Sequence, residues 1–257
     1  MLKHVMINGK YTYYEDEGKG TPILFLHPPG VGRKIFRYQS AYLKHKFRII
    51  AIDLSGSGDS GSCLSRISLK ERAEEVFFFI KKLGLENVHL AAYSGGCAIA
   101  LTAALRFPKE VKALILIEGF ARVEQRLHHY LYKASIKMLE EREELAIRLI
   151  SSHLTNDVHL REILKNHMRK SDIQVWISDY RNLLEFNISP HLKEISVPSL
   201  VILGVKSKFA AKSAALCNEM PGSKEVIIKG SGLILKKWEK VNGEIAAFMK
   251  TTEQHGI

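Results

Sequence analysis

The chain has 257 residues, 46% of them apolar and 25% charged, with a formal net charge of +11. That length and balance suit one large α/β domain and exclude a mainly disordered chain. Its longest apolar runs are far too short to span a bilayer, and the N-terminus Met1-Leu2-Lys3-His4 lacks the apolar stretch of a signal peptide. Three cysteines (Cys63, Cys97, Cys217) form no metal-ligand spacing, so a reduced cytoplasmic setting is the expectation.

In chain order, strands are predicted over residues 3–7 and 10–15, turned at Asn8-Gly9, the pair that best tolerates positive φ at both turn positions. The apolar run 23–26 is a third strand, ending at His27-Pro28-Pro29-Gly30. Residues 47–52 form a fourth and close on Asp53. Ser68 and Glu71 make a capping-box pattern, opening a helix with Leu69, Ala73, Val76, Phe77 and Ile80 on one face. A strand over 88–93 leads to Ser94, a small-residue helix spans 95–107, and 111–117 is another buried strand.

From 119 to 190 strands give way to charged helical patterns. One stripe is Leu127, Leu131, Ala134 and Met138; another is Leu160, Ile163, Leu164 and Met168. This segment reads as a helical insertion. Alternation then resumes: a strand over 199–203, a helix near 210–219, a strand over 225–229 and a last helix carrying Trp238, Val241, Ile245, Phe248 and Met249. Such alternation predicts a mostly parallel central sheet flanked by helices.

Strand, sharp turn, Ser94, small-residue helix is the layout of a nucleophile elbow. Ala92-Tyr93-Ser94-Gly95-Gly96 fills the G-x-S-x-G frame with Ala92 in place of the first glycine. Asp53-Leu54-Ser55-Gly56-Ser57-Gly58-Asp59-Ser60 and Val197-Pro198-Ser199-Leu200-Val201-Ile202-Leu203-Gly204 follow at matching positions. Over essentially its whole length the chain resembles the α/β-hydrolase superfamily, in its single-domain hydrolase and acyltransferase type with a helical cap. The resemblance implies a core of residues 1–118 and 191–257, a cap of 119–190, Ser94 as nucleophile and Gly95 as one oxyanion donor.

The same resemblance exposes departures. The family's acid position, three residues past Gly204, is Ser207, and its histidine position after Gly230-Ser231-Gly232 is Leu233. The second oxyanion donor falls on Pro29, which has no N–H; a shift of register offers Gly30. Deleting a triad serine or histidine lowers kcat roughly a million-fold in a well-studied protease, and one oxyanion donor is worth about a hundred- to a thousand-fold. The expectation is therefore a ligand-binding member with catalysis absent or strongly impaired. The alternatives are a serine hydrolase or acyltransferase with a relocated base, and an interaction module working through its basic surface.

Substitute groups are few. Glu118 ends a strand where some family members carry their acid; its simpler reading is a solvated or capping carboxylate. His128 and His129 lie in the cap and read as facing water. Lys206 and Lys208 flank Ser207 without the burial a lysine base needs. His255 is in a polar tail, His27 reads as a turn-stabilising residue, and Cys97 as small packing. Positive charge clusters at 44–48 and 165–170. No metal, cofactor or nucleic-acid motif is present, and the expected partner is a small molecule of unknown identity.

Overall fold

The computed structural model describes residues 2–62, 66–123, 126–204, 216, 219–230 and 232–254. Cys63, Lys206, Ser207, Lys208, Cys217, His255 and nearly all of the helix expected near 210–219 lie outside that set. Among the described residues no helix is long and apolar enough to cross a membrane.

Among the described residues eight strands, numbered in chain order, form one sheet in the order β1-β2-β4-β3-β5-β6-β7-β8. β1 (Leu2–Ile7) and β2 (Lys10–Glu17) are antiparallel around Asn8 and Gly9, whose φ values of 49° and 78° suit the predicted turn. β2 runs antiparallel to β4 (Arg48–Ile52), which lies parallel to β3 (Pro22–Leu26). β5 (Val88–Tyr93), β6 (Val111–Ile117), β7 (Ser199–Gly204) and β8 (Ser223–Ile228) extend the parallel part.

The central strands are almost entirely apolar because both faces are covered, with His89, Lys112 and Ser199 confined to their first two positions. Leu24, Leu26, Leu90, Leu114, Leu116 and Val201 pack on one face under α2 (Leu69–Lys82) and α3 (Gly96–Arg106). Ile23, Phe25, Ala91, Ile115, Ile117 and Ile202 pack on the other with Leu43 of α1 (Arg37–Leu43). The period-two alternation of strand side chains separates the two sets. Ser68 accepts from the Glu71 N–H while the Glu71 side chain takes the Ser68 N–H, so both halves of the capping box form.

Between β6 and β7 the predicted helical insertion is present as α4 (Arg126–Glu141), α5 (Glu143–Leu154), α6 (Val158–Met168) and α7 (Ile173–Glu185). Its stem is closed by a bridge between Arg122 and Asn187 and by the Ile188 N–H on the Ala121 carbonyl at 3.0 Å. Leu160, Leu164 and Met168 are buried, as their spacing implies, whereas Leu131 is largely exposed. A single helical turn, Leu233–Lys236, precedes α8 (Trp238–Gln254), whose Val241, Ile245, Phe248 and Met249 complete the second core face.

Two buried ion networks pin the insertion to the core. Arg72 of α2 is fully buried and reaches Asp179 of α7 through two nitrogens, at 3.1 and 2.7 Å, and Glu75 at 3.1 Å. Burial opposes its charge, but the Asp179 and Glu75 carboxylates outweigh that and raise the guanidinium pKa. The second network centres on Asp53 of the loop after β4. Its Oδ1 accepts from the Arg33 N–H at 2.7 Å and meets His167 Nε2 of α6 at 3.0 Å; the Arg33 guanidinium holds Oδ2.

In the basic clusters at 44–48 and 165–170, five cations are paired with carboxylates. Lys44 pairs with Glu17, Arg48 with Asp16, Lys165 with Glu162, Arg169 with Glu144 and Lys170 with Asp59.

Removing one partner of a buried ion pair strands the other, at a typical cost of about 3–5 kcal/mol. Asp179→Ala is expected to lose that much in urea-unfolding free energy. Adding Arg72→Met to Asp179→Leu should recover most of it, because the guanidinium is then no longer buried without its carboxylate.

Candidate functional site

Ser94 and Glu118 stand side by side at the carboxyl ends of β5 and β6. Tyr93 pairs with Ile117 in the parallel register, so each of the two residues is the first beyond the same rung. Both have φ of 50°, a left-handed conformation uncommon for residues with a Cβ. Backbone bonds hold each turn: the Ser94 N–H to the Ile117 carbonyl at 2.9 Å, and the Glu118 N–H to the Ile202 carbonyl at 2.8 Å. The small residues of the elbow are needed for close approach. A Cβ on Gly96 would strike the Leu26 carbonyl oxygen, and one on Gly95 would lie 2.8 Å from Pro29 Cδ. The elbow geometry predicted for Ser94 is therefore formed.

The groups expected around it are arranged differently. Ser207 lies outside the described residues, and residues 205–215 contain no Asp, Glu or His. Leu233 is fully buried in the apolar core and opens the helical turn after Gly232. Its backbone N–H donates to Glu118 Oε2 at 3.0 Å. Tyr93 and the Gly232 backbone also hydrogen-bond to Glu118. Burial raises the Glu118 pKa above the usual carboxylate value, and those bonds only partly counter it. Of the two simple readings of Glu118, solvation is wrong and capping is right. The carboxylate is 7% exposed and ties down the backbone at Leu233.

No described side chain hydrogen-bonds to Ser94 Oγ. Ser94 instead opens into a cavity of about 680 Å³ under the insertion. Glu118, His128 and His153 also line it, with Leu131, Met138 and Leu149 among the apolar walls. The expectation that His128 faces water is corrected: it is 2% exposed and lines this cavity, because α4 turns that side inward over the site. His129 is half-buried and its Nε2 meets the Val123 carbonyl at 2.9 Å. His153, at the end of α5, carried no signal in the sequence; partial enclosure and Lys236 lower its pKa.

On the oxyanion side, Pro29 borders the cavity and packs on Gly95, and it supplies no N–H. Gly30 has φ of 69°, and a Cβ there would run into the Trp176 indole. The Gly95 N–H follows Ser94 at the start of α3.

His27 behaves as a turn-stabilising residue. Its Nε2 accepts from the Leu54 N–H at 3.0 Å, so Nδ1 carries the proton and donates to the Pro28 carbonyl at 2.8 Å. Burial lowers its pKa to about 4. Cys97 is buried, with Sγ 3.3 Å from the Ala92 carbonyl, and burial pushes its thiol pKa far up, as a packing residue requires.

Asp53, Asp59 and His167 offer ligand atoms within 4.8 Å of one another, a grouping no sequence motif announced. Arg33 already bonds to both carboxylates, Lys170 pairs with Asp59, and the Asp59 N–H takes Asp53 Oδ2 at 3.0 Å. These cations balance the carboxylates without a metal. Burial alone would raise the Asp53 pKa, yet His167 and Arg33 bring it down to about 2.

A family model described as the alpha/beta hydrolase fold matches residues 21–134. The chain is 31% identical over 252 residues to the AB hydrolase superfamily protein YisY of Bacillus subtilis (strain 168), covering 92% of this chain and 94% of that one. The RutD protein of Azorhizobium caulinodans matches over 112 residues at 33% identity, only 42% of its own length. Among solved structures, the esterase EaEST from Exiguobacterium antarcticum superposes with a TM-score of 0.88 at 22% identity, over 97% of this chain and 100% of that one.

Stability should fall in mild acid. His27 and His89 both have pKa values lowered by burial to about 4, against 6.5 ordinarily. Above pH 6.5 both are neutral in folded and unfolded chains. Between 6.5 and 4 the unfolded chain binds protons that the folded chain refuses, so stability is lost as pH falls. Each histidine is worth on the order of 3 kcal/mol across that window. Urea midpoints measured from pH 7 to 4 should show this limb, and His27→Gln should make it shallower by about one proton.

Proposed function

Because this chain belongs to the α/β-hydrolase superfamily, we propose that it is a ligand-binding member of the hydrolase/acyltransferase type in which conventional serine hydrolysis is lost or strongly impaired. Residues 119–190 serve as its cap over a core of 1–118 and 191–257, in a reduced cytoplasmic setting. One observation carries the reading: Glu118 Oε2 accepts the backbone N–H of a fully buried Leu233 at 3.0 Å. A histidine in that position would take an orienting bond from the carboxylate and pass a proton to and from the serine. Leucine supplies neither, and the carboxylate spends its acceptor on main chain. Ser94 Oγ then has no base, and at neutral pH a serine hydroxyl without one is a weak nucleophile. Pro29 further removes one expected oxyanion donor.

A second reading keeps Ser94 as nucleophile with His128 or His153 as relocated base, and the presence of both imidazoles on the same cavity favours it. Fluorophosphonate labelling separates the two. Under the first reading Ser94 labels no faster than a surface serine; rapid labelling abolished by Ser94→Ala, and slowed by His128→Ala or His153→Ala, establishes the second. A third reading, an interaction module working through the basic surface, rests on the net charge of +11, while Lys44, Arg48, Lys165, Arg169 and Lys170 of its clusters each pair with a carboxylate.

The placement of Glu118 also makes a gain-of-function test possible without altering Ser207. Leu233→His should raise turnover of short p-nitrophenyl esters by roughly a hundred-fold or more, since general base catalysis is worth about 10²–10⁴. The added activity should vanish in the Leu233→His, Ser94→Ala double variant. Unchanged turnover in a folded Leu233→His protein would show that Glu118 and Ser94 do not converge on that position.

A further inference from the structure

The outer surface of α4 and α5 places large apolar side chains in water. Tyr130 and Leu131 of α4 are 68% and 45% exposed, and Leu149 of α5 is 50% exposed. Leu131 and Leu149 border the same opening, and Tyr130 adjoins Leu131 in its helix, so the three form one patch. Scattered apolar side chains on a surface need no explanation, but a contiguous group of them marks an interaction site.

Charge indicates the partner. Arg126, Tyr130, Lys133 and Lys137 recur at helical spacing on α4, so cations stand one turn to either side of the tyrosine. Arg148 directly precedes Leu149 on α5. All four cations are exposed. Arg126, Lys133 and Arg148 make no ion pair among the described residues. Over 126–139 and 145–154 the sequence has no aspartate or glutamate. The acids of the helix pair, Glu140, Glu141, Glu143 and Glu144, gather instead at the joint around Arg142. Arg181, Lys137 and Arg169 take three of them.

A second copy of the chain, docked here about a twofold axis, would set these cations against themselves, and like charges across an interface are costly. An anionic bilayer satisfies both halves of the face. Its phosphates and carboxylates match the cations, and its interfacial layer takes up tyrosine and leucine side chains. We propose that this face of α4 and α5 docks the chain reversibly on anionic lipid bilayers, with Tyr130, Leu131 and Leu149 entering the headgroup layer and Arg126, Lys133 and Arg148 pairing with lipid anions. The contact is peripheral and goes beyond the ligand-binding reading; it is the same whether or not Ser94 reacts.

Cosedimentation of the full chain with vesicles of phosphatidylcholine and phosphatidylserine, mixed seven to three, tests it. Pure phosphatidylcholine vesicles should bind at least tenfold more weakly. Lys133→Glu with Arg148→Glu should cut affinity at least twentyfold, since each basic residue near an anionic surface is worth about fivefold. Lys19 and Lys250 are also exposed and make no ion pair among the described residues. Lys19→Glu with Lys250→Glu changes the net charge equally and should cost less than threefold. Tyr130→Ser with Leu149→Ser should cost about tenfold with every cation in place. Tyr130→Ser alone, at the most exposed position, should cost about threefold with the melting temperature unchanged. Absence of binding to the anionic vesicles, or an equal loss in the Lys19 and Lys250 control, would overturn the proposal. Full binding after the Tyr130 and Leu149 changes would overturn it too; displacement by polyglutamate would then assign the face to an acidic protein.

Discussion

The carboxylate of Asp53 is the constraint on which the rest of the site depends. It is fully buried at the end of β4, where a charge without partners would not be tolerated. It is tolerated because three parts of the chain converge on it: the Arg33 backbone and guanidinium after β3, the Asp59 N–H of its own loop, and His167 of α6. Each of these bonds fixes a loop at the carboxyl edge of the sheet. The same edge carries Ser94 and Glu118, so the network that anchors the insertion also frames the cavity beneath it. Arg72 and Asp179 repeat the arrangement on the side of α2 and α7.

Within that frame, Ser94 and Glu118 have separate fates although their backbones are nearly alike. Both leave neighbouring parallel strands through a left-handed turn. Ser94 borders the cavity, and no described side chain hydrogen-bonds to its hydroxyl. Glu118 is enclosed, and its oxygens are taken by Leu233, Gly232 and Tyr93. The left-handed turn at Ser94 is thus maintained by its backbone bond to Ile117 and by close packing, through Gly95 against Pro29 and Gly96 against Leu26.

The insertion contributes the chemistry of the cavity more than its outline. α4 and α5 supply apolar walls and two imidazoles, and the described lining carries no lysine or arginine despite the net charge of +11. Many of the positive residues are engaged at the surface with carboxylates, where such pairs add little to stability. The net positive charge of the chain is therefore not carried by the described lining of its cavity.

Much of the fold was legible from residue order. Apolar runs of strand length, the Asn8-Gly9 turn, the Ser68–Glu71 capping box and the Ala92–Gly96 elbow are local signals, and local backbone physics produced each element at or near its expected bounds. The leucine after Gly230-Ser231-Gly232 was equally plain, because identity and order are properties of the chain itself. What depended on contacts between distant residues was not legible. The side of α4 that turns inward placed His128 on the cavity, and no period in that charged helix distinguishes it from His129. The joining of Arg33, Asp53 and His167, 134 positions from first to last, and of Glu118 with Leu233, 115 apart, follows only from how strands and helices stack. By itself the sequence determined the elements, their order and the identity of the residue after Gly232. Tertiary packing alone decided that the Glu118 carboxylate would be held by main chain, and that Ser94 would border a largely apolar cavity, since burial and partnership do not exist until the layers close.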